Sequence, residues 1–357
     1  MSQERTEEGG NPDPAYRAVK AEETFWAEHP YLMLYGNEET ALALGAEDAK
    51  MDGAGRGTGG AAGAAEAGGA AGAAPGMPGP ENAAVVARNE TSLLPGRIYQ
   101  LAQLEDYDFL MSHFYNVHTS TTAGRELMDA KKLLSRDFRL APERSAGTAD
   151  QSTGAPQILI YHTHSQEAFA DSCEGENIVA AGAYLAELLQ KNGFSVYHDR
   201  SVYDVRDGKL DRNKAYTYAL EGITKILEEH PSIQVVIDLH RDGVKEGTHL
   251  VTEVNGKPTA RIMFFNGLSQ TPDGPIPYLE NPFREDNLAF SLQLQLKAAA
   301  HFPDYTRKIY LKGLRYNQHL RPASCLVEAG AQTNTYEEVR NAMEPLAEVF
   351  TMLLQGK

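Results

Sequence analysis

The stretch that decides the fold is ILIYHTHSQE at residues 158–167. Its four leading apolar residues predict a buried strand, and two histidines and a carboxylate follow directly. Segments of the same form occur at 233–242 (IQVVIDLHRD) and at 325–330 (CLVEAG). Open α/β sheets carry their sites just beyond the carboxyl ends of the strands. The three segments therefore predict one site at one edge of a sheet.

Strand and helix signals alternate through the surrounding sequence. Apolar residues recur at helical spacing between the strand segments and again at the end of the chain. This alternation predicts an α/β fold, with a mainly parallel sheet and helices on both faces. Asn255-Gly256 separates two short strand signals at 249–254 and 261–265, which predicts an added β-hairpin.

Composition shifts divide the chain into four parts. Residues 1–47 are a polar N-terminal segment, and 48–91 are rich in Gly and Ala, which is typical of a flexible tether. Residues 92–154 predict a small lead-in subdomain and a linker, and 155–357 hold the predicted catalytic domain. A tether implies that the part after it works at a distance from what precedes it.

Charge and composition argue against several classes of protein. The formal net charge of −16 argues against sequence-independent binding of nucleic acid, which needs a basic face. The sequence contains no run of 18 apolar residues, which a membrane-spanning helix would need. The charged N-terminus lacks the apolar segment of a signal peptide. Taken literally, the sequence predicts a soluble protein without an export signal. Cys173 and Cys325 predict either one disulfide or two unpaired thiols.

The residues at the three strand ends are those that bind zinc. A catalytic zinc takes about three protein ligands, and His164, Glu167 and His240 supply the imidazole and carboxylate groups that it prefers. Glu328 ends the third strand and is the candidate general base, which takes a proton from the attacking water. His162 shares a face with His164 on an extended backbone, so it is either the ligand instead or a residue that orients one.

Simpler interpretations apply to each residue taken alone. A single histidine at a strand end is usually only hydrogen-bonded, and Glu328 could cap a helix or pair with Arg321. His319 either stabilises a developing oxyanion or is structural. No Gly-x-Ser-x-Gly nucleophile elbow is present, and the only Gly-rich run lies in the tether without a flanking strand.

At these residues the chain also resembles a known family. It resembles stage II sporulation protein P, a family of peptidoglycan hydrolases from endospore-forming bacteria. The resemblance covers nearly all of residues 155–357 and part of the lead-in, 113–140. The segments that carry it include ILIYHTHSQEAFADS (158–172), IQVVIDLHRDGV (233–244) and EAGAQTNT (328–335).

The family is similar in turn to zinc-dependent N-acetylmuramoyl-L-alanine amidases. That similarity implies zinc binding by His164 and His240 and a catalytic role for Glu328. For the third ligand it points to Glu176, at the start of the first helix. The shorter spacing of zinc carboxypeptidases points instead to Glu167, which we favour.

The resemblance also implies a reaction and a setting. It implies cleavage of the amide between muramic acid and the stem peptide, together with action on peptide cross-links, during engulfment of the forespore. It implies peptidoglycan as the substrate and the lytic transglycosylase stage II sporulation protein D as a partner. It further implies an extracytoplasmic, membrane-associated location, although this sequence shows no anchor.

Substrate recognition is the least determined part of the site. Arg241, Arg315 or Arg321 could bind a stem-peptide carboxylate through a bidentate fork, and we take Arg241 and Arg315 as the candidates. The alternatives to the amidase are a zinc carboxypeptidase-like peptidase and a non-catalytic cell-wall-binding protein.

Overall fold

A seven-stranded sheet organises the structure, which is a computed structural model that describes residues 96–140, 154–212 and 214–357. The predicted N-terminal segment and tether lie outside the described residues. The strands of the sheet are β1 (Tyr115–Val117), β2 (Ile158–Tyr161), β3 (Val196–His198), β6 (Val235–Asp242), β9 (Ile262–Gly267), β12 (Ile309–Lys312) and β13 (Ala323–Ala331).

Seven helices and three short strand pairs complete the described elements. The helices are α1 (Leu101–Leu104), α2 (Tyr107–Phe114), α3 (Ala130–Leu134), α4 (Ile178–Lys191), α5 (Ala215–Glu229), α6 (Arg284–His301) and α7 (Tyr336–Gln355). The small pairs are β4 (Val205–Arg206) with β5 (Lys209–Leu210), β7 (Val251–Val254) with β8 (Lys257–Ala260), and β10 (Gln270–Thr271) with β11 (Gly274–Pro275).

The sheet consists of two parallel blocks. Its strand order is β1-β12-β9-β13-β6-β2-β3, and every neighbouring pair is parallel except β9 with β13. The predicted mainly parallel sheet is therefore confirmed. Because β13, β6, β2 and β3 run the same way, their carboxyl ends lie at one edge, while β9, β12 and β1 end at the opposite edge. All three predicted site segments belong to the first block.

Helices cover both faces of the sheet, as predicted. The larger core packs α4, α6 and α7 against one face, where Ile160, Ile237 and Val327 are buried. A smaller core packs α5 against the other face, over Leu159 and Val236. Residues on β2 and β6 alternate between the two cores, which is the period-2 pattern of a strand buried on both faces.

The predicted hairpin forms, but with a different second strand. Asn255 and Gly256 both have positive φ, 52° and 75°, as a tight two-residue hairpin turn requires. The strand after the turn is β8 (Lys257–Ala260), whereas the predicted 261–265 segment lies mostly in β9 of the central sheet. The prediction was wrong here because period-2 patterning cannot separate two consecutive strands. The hairpin docks on α7, where Lys257 Nζ lies 2.7 Å from Glu344 Oε2.

The lead-in region contributes to the same sheet and core as the residues after it. Its strand β1 pairs with β12 in parallel, and Leu110, Phe114 and Leu133 are buried in the larger core. The predicted domain boundaries remain predictions. Cys173 is exposed and Cys325 is buried, so the two thiols are unpaired. Within the described residues, none of the helices combines the length and the apolar character needed to cross a bilayer.

Candidate active site

The sheet register places two of the predicted residues together, and a third follows in the adjoining loop. Glu328 of β13 is the direct partner of His240 on β6, and Tyr161 at the end of β2 is the partner of Asp238. Paired residues of parallel strands share a face, so Asp238, His240 and Glu328 project from the same side of the sheet. His164 follows β2 by three residues, and its ring centroid lies 5.2 Å from that of His240.

The structure distinguishes the two carboxylates between which the sequence left a choice. Glu167 is 3% exposed, and its Oε2 lies 3.6 Å from Nδ1 of His240. The same oxygen accepts a hydrogen bond of 2.9 Å from the backbone N–H of Arg241, the residue that follows His240 in β6. Glu176 instead accepts from the backbone N–H of Cys173 in a turn before α4. The geometry therefore favours Glu167 over Glu176 as the candidate third zinc ligand.

His162 contacts a different set of residues from His164. Its Nδ1 lies 2.8 Å from the Leu239 carbonyl, and its Nε2 lies 3.0 Å from Nε2 of His198. With both ring nitrogens engaged, His162 packs beneath α4 rather than beside Glu167. Its contact with the carbonyl of Leu239 holds the backbone just before His240, which agrees with the predicted orienting role.

The charges of the two candidate histidines differ because their neighbours differ. Burial lowers the pKa of His164 to about 4, so this imidazole is neutral and able to act as a ligand. Burial also acts to lower the pKa of His240, but the adjacent Asp238 and Glu167 outweigh it and raise that pKa well above its usual value. Burial acts to raise the pKa of Glu167, but His240 and His164 bring it down to about 2.

Glu328 has the environment of a group that exchanges protons near neutral pH. Burial, together with the negative charge of Asp242, raises its pKa to about 8. Its Oε2 atom is buried without a hydrogen-bond partner. The strand register becomes irregular between Glu328 and Ala331, where Gly330 has φ of +63°. Such a bulge re-aims the strand directly after the carboxylate.

The spacing and the atom types at this site bear on whether it can hold a zinc ion. Two ligand atoms about 2.0–2.2 Å from a tetrahedral zinc stand roughly 3.3–3.6 Å apart, which matches the 3.6 Å between His240 Nδ1 and Glu167 Oε2. Nδ1 of His164 is buried without a hydrogen-bond partner. The donor types and this buried, unpaired nitrogen fit zinc. In the part of the chain that the structure describes, however, no three His, Cys, Asp or Glu side chains converge closely enough to form a metal-holding group.

The three candidate arginines lie in different settings. Arg241 donates to the carbonyls of Ala168 and Asp242, at the same edge of the sheet as His240. Arg315 is 3% exposed and donates to the carbonyl of Glu280, so its side chain is closed off from solvent in this conformation. Arg321 donates to the carbonyl of Ile233, beside the amino end of β6 and thus at the opposite edge. Arg241 is the one of the three that adjoins the candidate ligands.

Sequence reasoning missed several residues that contact this region, among them Asp238, Tyr216, Asp204 and Arg212, whose Nη1 lies 3.6 Å from Oε1 of Glu167. Asp238 lies 2.7 Å from Nε2 of His240, and the Tyr216 ring packs 5.6 Å from that of His164. Asp204 accepts hydrogen bonds from Ser165 and Gln166, between the two predicted ligands of that loop. Asp238 had a detectable signal, because it is an acid inside an otherwise apolar strand. Tyr216 lies in a segment, 212–216, that also resembles the family, whereas Asp204 had no signal, since it enters from a distant segment.

The comparison with protein families decides the family. Residues 108–351, more than half of the chain, match the family described as stage II sporulation protein P. The chain belongs to that family. The stage II sporulation protein P of Bacillus subtilis (strain 168) is 24% identical over 220 residues, covering 56% of this chain and 52% of that protein. The chain thus matches about half the length of this relative.

Solved amidase structures overlap with this member of the stage II sporulation protein P family to a limited extent. The N-acetylmuramoyl-L-alanine amidase AmiC2 of Nostoc punctiforme is 13% identical, with a TM-score of 0.36, over 57% of this chain and 97% of that one. The CwlD amidase from Clostridioides difficile, solved with the GerS lipoprotein, is 12% identical, with a TM-score of 0.35, over 55% and 99%. At these scores the likeness carries no argument about activity.

Proposed function

We propose that this chain is a zinc-dependent peptidoglycan hydrolase. It cleaves the amide between N-acetylmuramic acid and the L-alanine of the stem peptide, and also peptide cross-links, during engulfment of the forespore. The observation that supports this most is the grouping of Glu328 and His240 in register with Glu167 beside them, at one edge of the sheet. Membership of a sporulation family agrees with the setting.

The proposed reaction assigns zinc binding, proton transfer and substrate binding to different residues of the chain. His164, Glu167 and His240 would hold the zinc, which when bound polarises the scissile carbonyl and lowers the pKa of water toward about 7. Glu328 takes the proton from the attacking water and returns it to the leaving amine. A carboxyl group whose pKa lies near neutrality suits both transfers. Arg241, which adjoins the proposed ligands, would bind a carboxylate of the stem peptide.

One observation keeps a peptidase in consideration. The carboxylate beside His240 is Glu167, whose His-x-x-Glu spacing is that of zinc carboxypeptidases. A zinc carboxypeptidase-like enzyme would trim ordinary peptides without needing muramic acid. We therefore carry this as the second candidate, and a non-catalytic cell-wall-binding protein as the third.

The test combines metal analysis with product chemistry. The full chain is assayed for zinc by elemental analysis and then incubated with purified peptidoglycan, and products are identified by mass. One zinc per chain, with free stem peptides and peptide-free glycan, is the expected result. Zinc with only shortened peptides would replace the amidase by the peptidase. No zinc and no products, even after metal is added, would leave a binding protein.

The setting of this activity is proposed on family grounds alone. We propose that the protein acts outside the cytoplasm, in association with the membrane at the sporulation septum, alongside stage II sporulation protein D. Co-purification of the two proteins from sporulating cells tests the partnership. Recovery of each alone, under conditions that preserve the septum, would count against it.

A further inference from the structure

Asp238 is a buried carboxylate that joins the ends of two strands. It is 2% exposed and lies on β6, two residues before His240 and opposite Tyr161 of β2. Its Oδ1 accepts from the backbone N–H of Thr163 at 2.9 Å, and its Oδ2 accepts from the Thr163 hydroxyl at 2.7 Å. A buried charge is costly unless it is hydrogen-bonded, and these two donors keep Asp238 in place.

The same carboxylate also contacts a candidate ligand. Nε2 of His240 lies 2.7 Å from Oδ1 of Asp238, and the approach is close without reaching a well-aligned hydrogen bond. The other ring nitrogen, Nδ1, faces Oε2 of Glu167 at 3.6 Å. The two nitrogens of His240 therefore meet different partners, one on its own strand and one on the loop after β2.

We infer that Asp238 is a positioning residue that directs Nδ1 of His240 toward the metal. Nε2 lies against the Asp238 carboxylate, so the ring nitrogen on the side of Glu167, where the proposed zinc ligands meet, is Nδ1. Because Asp238 also holds Thr163, the residue before His164, one side chain aligns the segments that carry two of the proposed ligands. This inference rests on the proposed zinc-dependent function and adds which nitrogen of His240 binds.

Two substitutions separate the charge of Asp238 from its shape. In Asp238→Asn, the amide oxygen still accepts from the Thr163 N–H, and the amide nitrogen donates to the Thr163 hydroxyl, so the fold is kept while the charge is lost. Asp238→Val removes the acceptor for His240 altogether. Asp199→Asn is the matched control, since Asp199 is a buried carboxylate bonded to Tyr203 and Ser201 and contacts none of the proposed ligands.

The measurement is zinc affinity of the full chain, by competition with a chromophoric chelator, with folding monitored by circular dichroism. Loss of a carboxylate that supports a metal-binding histidine weakens binding about 10–100-fold. We expect a loss near the lower end for Asp238→Asn, a loss near the upper end for Asp238→Val, and at most a twofold change for Asp199→Asn. Wild-type affinity in a folded Asp238→Val would overturn the inference, and if that variant fails to fold, the nitrogen readout below tests it in the wild-type chain.

A second readout reports the nitrogen directly. In the zinc-loaded protein, ¹⁵N NMR of the histidine side chains should show His240 bound through Nδ1 and protonated on Nε2. Binding through Nε2 would overturn the inference while leaving the zinc-dependent function intact. A wild-type chain that binds no zinc at all would overturn both, so the two failures are distinguishable.

Discussion

Glu328 lies directly across from His240 in the register of two adjacent parallel strands, β13 and β6. This pairing fixes the separation of the proposed base and a proposed ligand through backbone hydrogen bonds rather than through flexible loops. Asp242, at the end of β6, forms a partly buried ion pair of 2.6 Å with Arg307, and its negative charge acts on Glu328. The carboxylate of Glu328 thus lies among charged groups of both signs.

Replacing Glu328 by glutamine should separate metal binding from catalysis. The amide has nearly the same shape but cannot take a proton, so we expect turnover of peptidoglycan to fall by about 10²–10⁴-fold. Zinc content should stay at the wild-type value, because Glu328 is not a proposed ligand. Elemental analysis and product release are measured on one preparation, with the exposed Glu253→Gln as control. Retention of near-normal turnover would remove Glu328 from the role of base.

The pair Glu167→Gln and Glu176→Gln tests the choice of third ligand. Glu167 is buried beside His240, whereas Glu176 serves the turn at Cys173. We expect Glu167→Gln to lose most of its bound zinc and Glu176→Gln to keep it. Stoichiometry after dialysis against a zinc buffer is the measurement. Loss of zinc from Glu176→Gln but not from Glu167→Gln would identify Glu176 as the ligand, as the amidase resemblance implied.

Gly182 should be intolerant of even a methyl group. A Cβ at this position of α4 would lie 2.5 Å from Cε1 and 2.6 Å from Nε2 of His162. Alanine normally stabilises a helix by up to about 1 kcal/mol relative to glycine. Here we expect Gly182→Ala to lower the free energy of unfolding by about 1–3 kcal/mol, because the contact overpacks the core.

A double-mutant cycle shows whether His162 is the cause of that loss. In a His162→Ala background the ring is gone, so adding Gly182→Ala should cost little or become favourable. Urea unfolding of the four proteins gives the coupling free energy. If Gly182→Ala lowers the free energy of unfolding equally in both backgrounds, its contact with His162 is not the cause of the loss.

His319 should make the fold sensitive to mild acid. Burial, together with the positive charge of Arg315, lowers its pKa to about 3 in the folded chain. Since a histidine in the unfolded chain titrates near 6.5, the unfolded state binds more protons as the pH falls through that value, and stability is lost. We expect His319 to lower the free energy of unfolding by about 1.4 kcal/mol when the pH falls from 7.5 to 5.5.

The check is the pH dependence of urea unfolding for wild type and His319→Gln. The variant cannot take up this proton, so the difference in unfolding free energy between pH 7.5 and 5.5 should shrink by that amount. Identical pH dependences would mean that His319 is not held neutral by the fold. The comparison is made at each pH, so that any loss of packing in the variant cancels.

The sequence by itself determined the class of fold and predicted the edge of the sheet at which the candidate residues lie. The apolar run before His164, the one before His240 and the one before Glu328 are strands, since each is mainly apolar and buried on both faces. Parallel strands bring their carboxyl ends to one edge, so the local pattern predicted the edge at which these residues lie, while their direct pairing depends on the order of the strands. The choice of Glu167 as ligand stays a prediction that the geometry favours.

Only the tertiary structure decided which groups surround those residues. The antiparallel junction of β9 with β13 has no local signal, because a strand reads the same in either direction. The split of 251–267 into β7, β8 and β9 likewise depends on which partners each strand finds. Asp238, Tyr216 and Asp204 act on side chains from other segments. Contacts between residues distant in sequence depend on how the elements pack, and local periodicity carries no information about that.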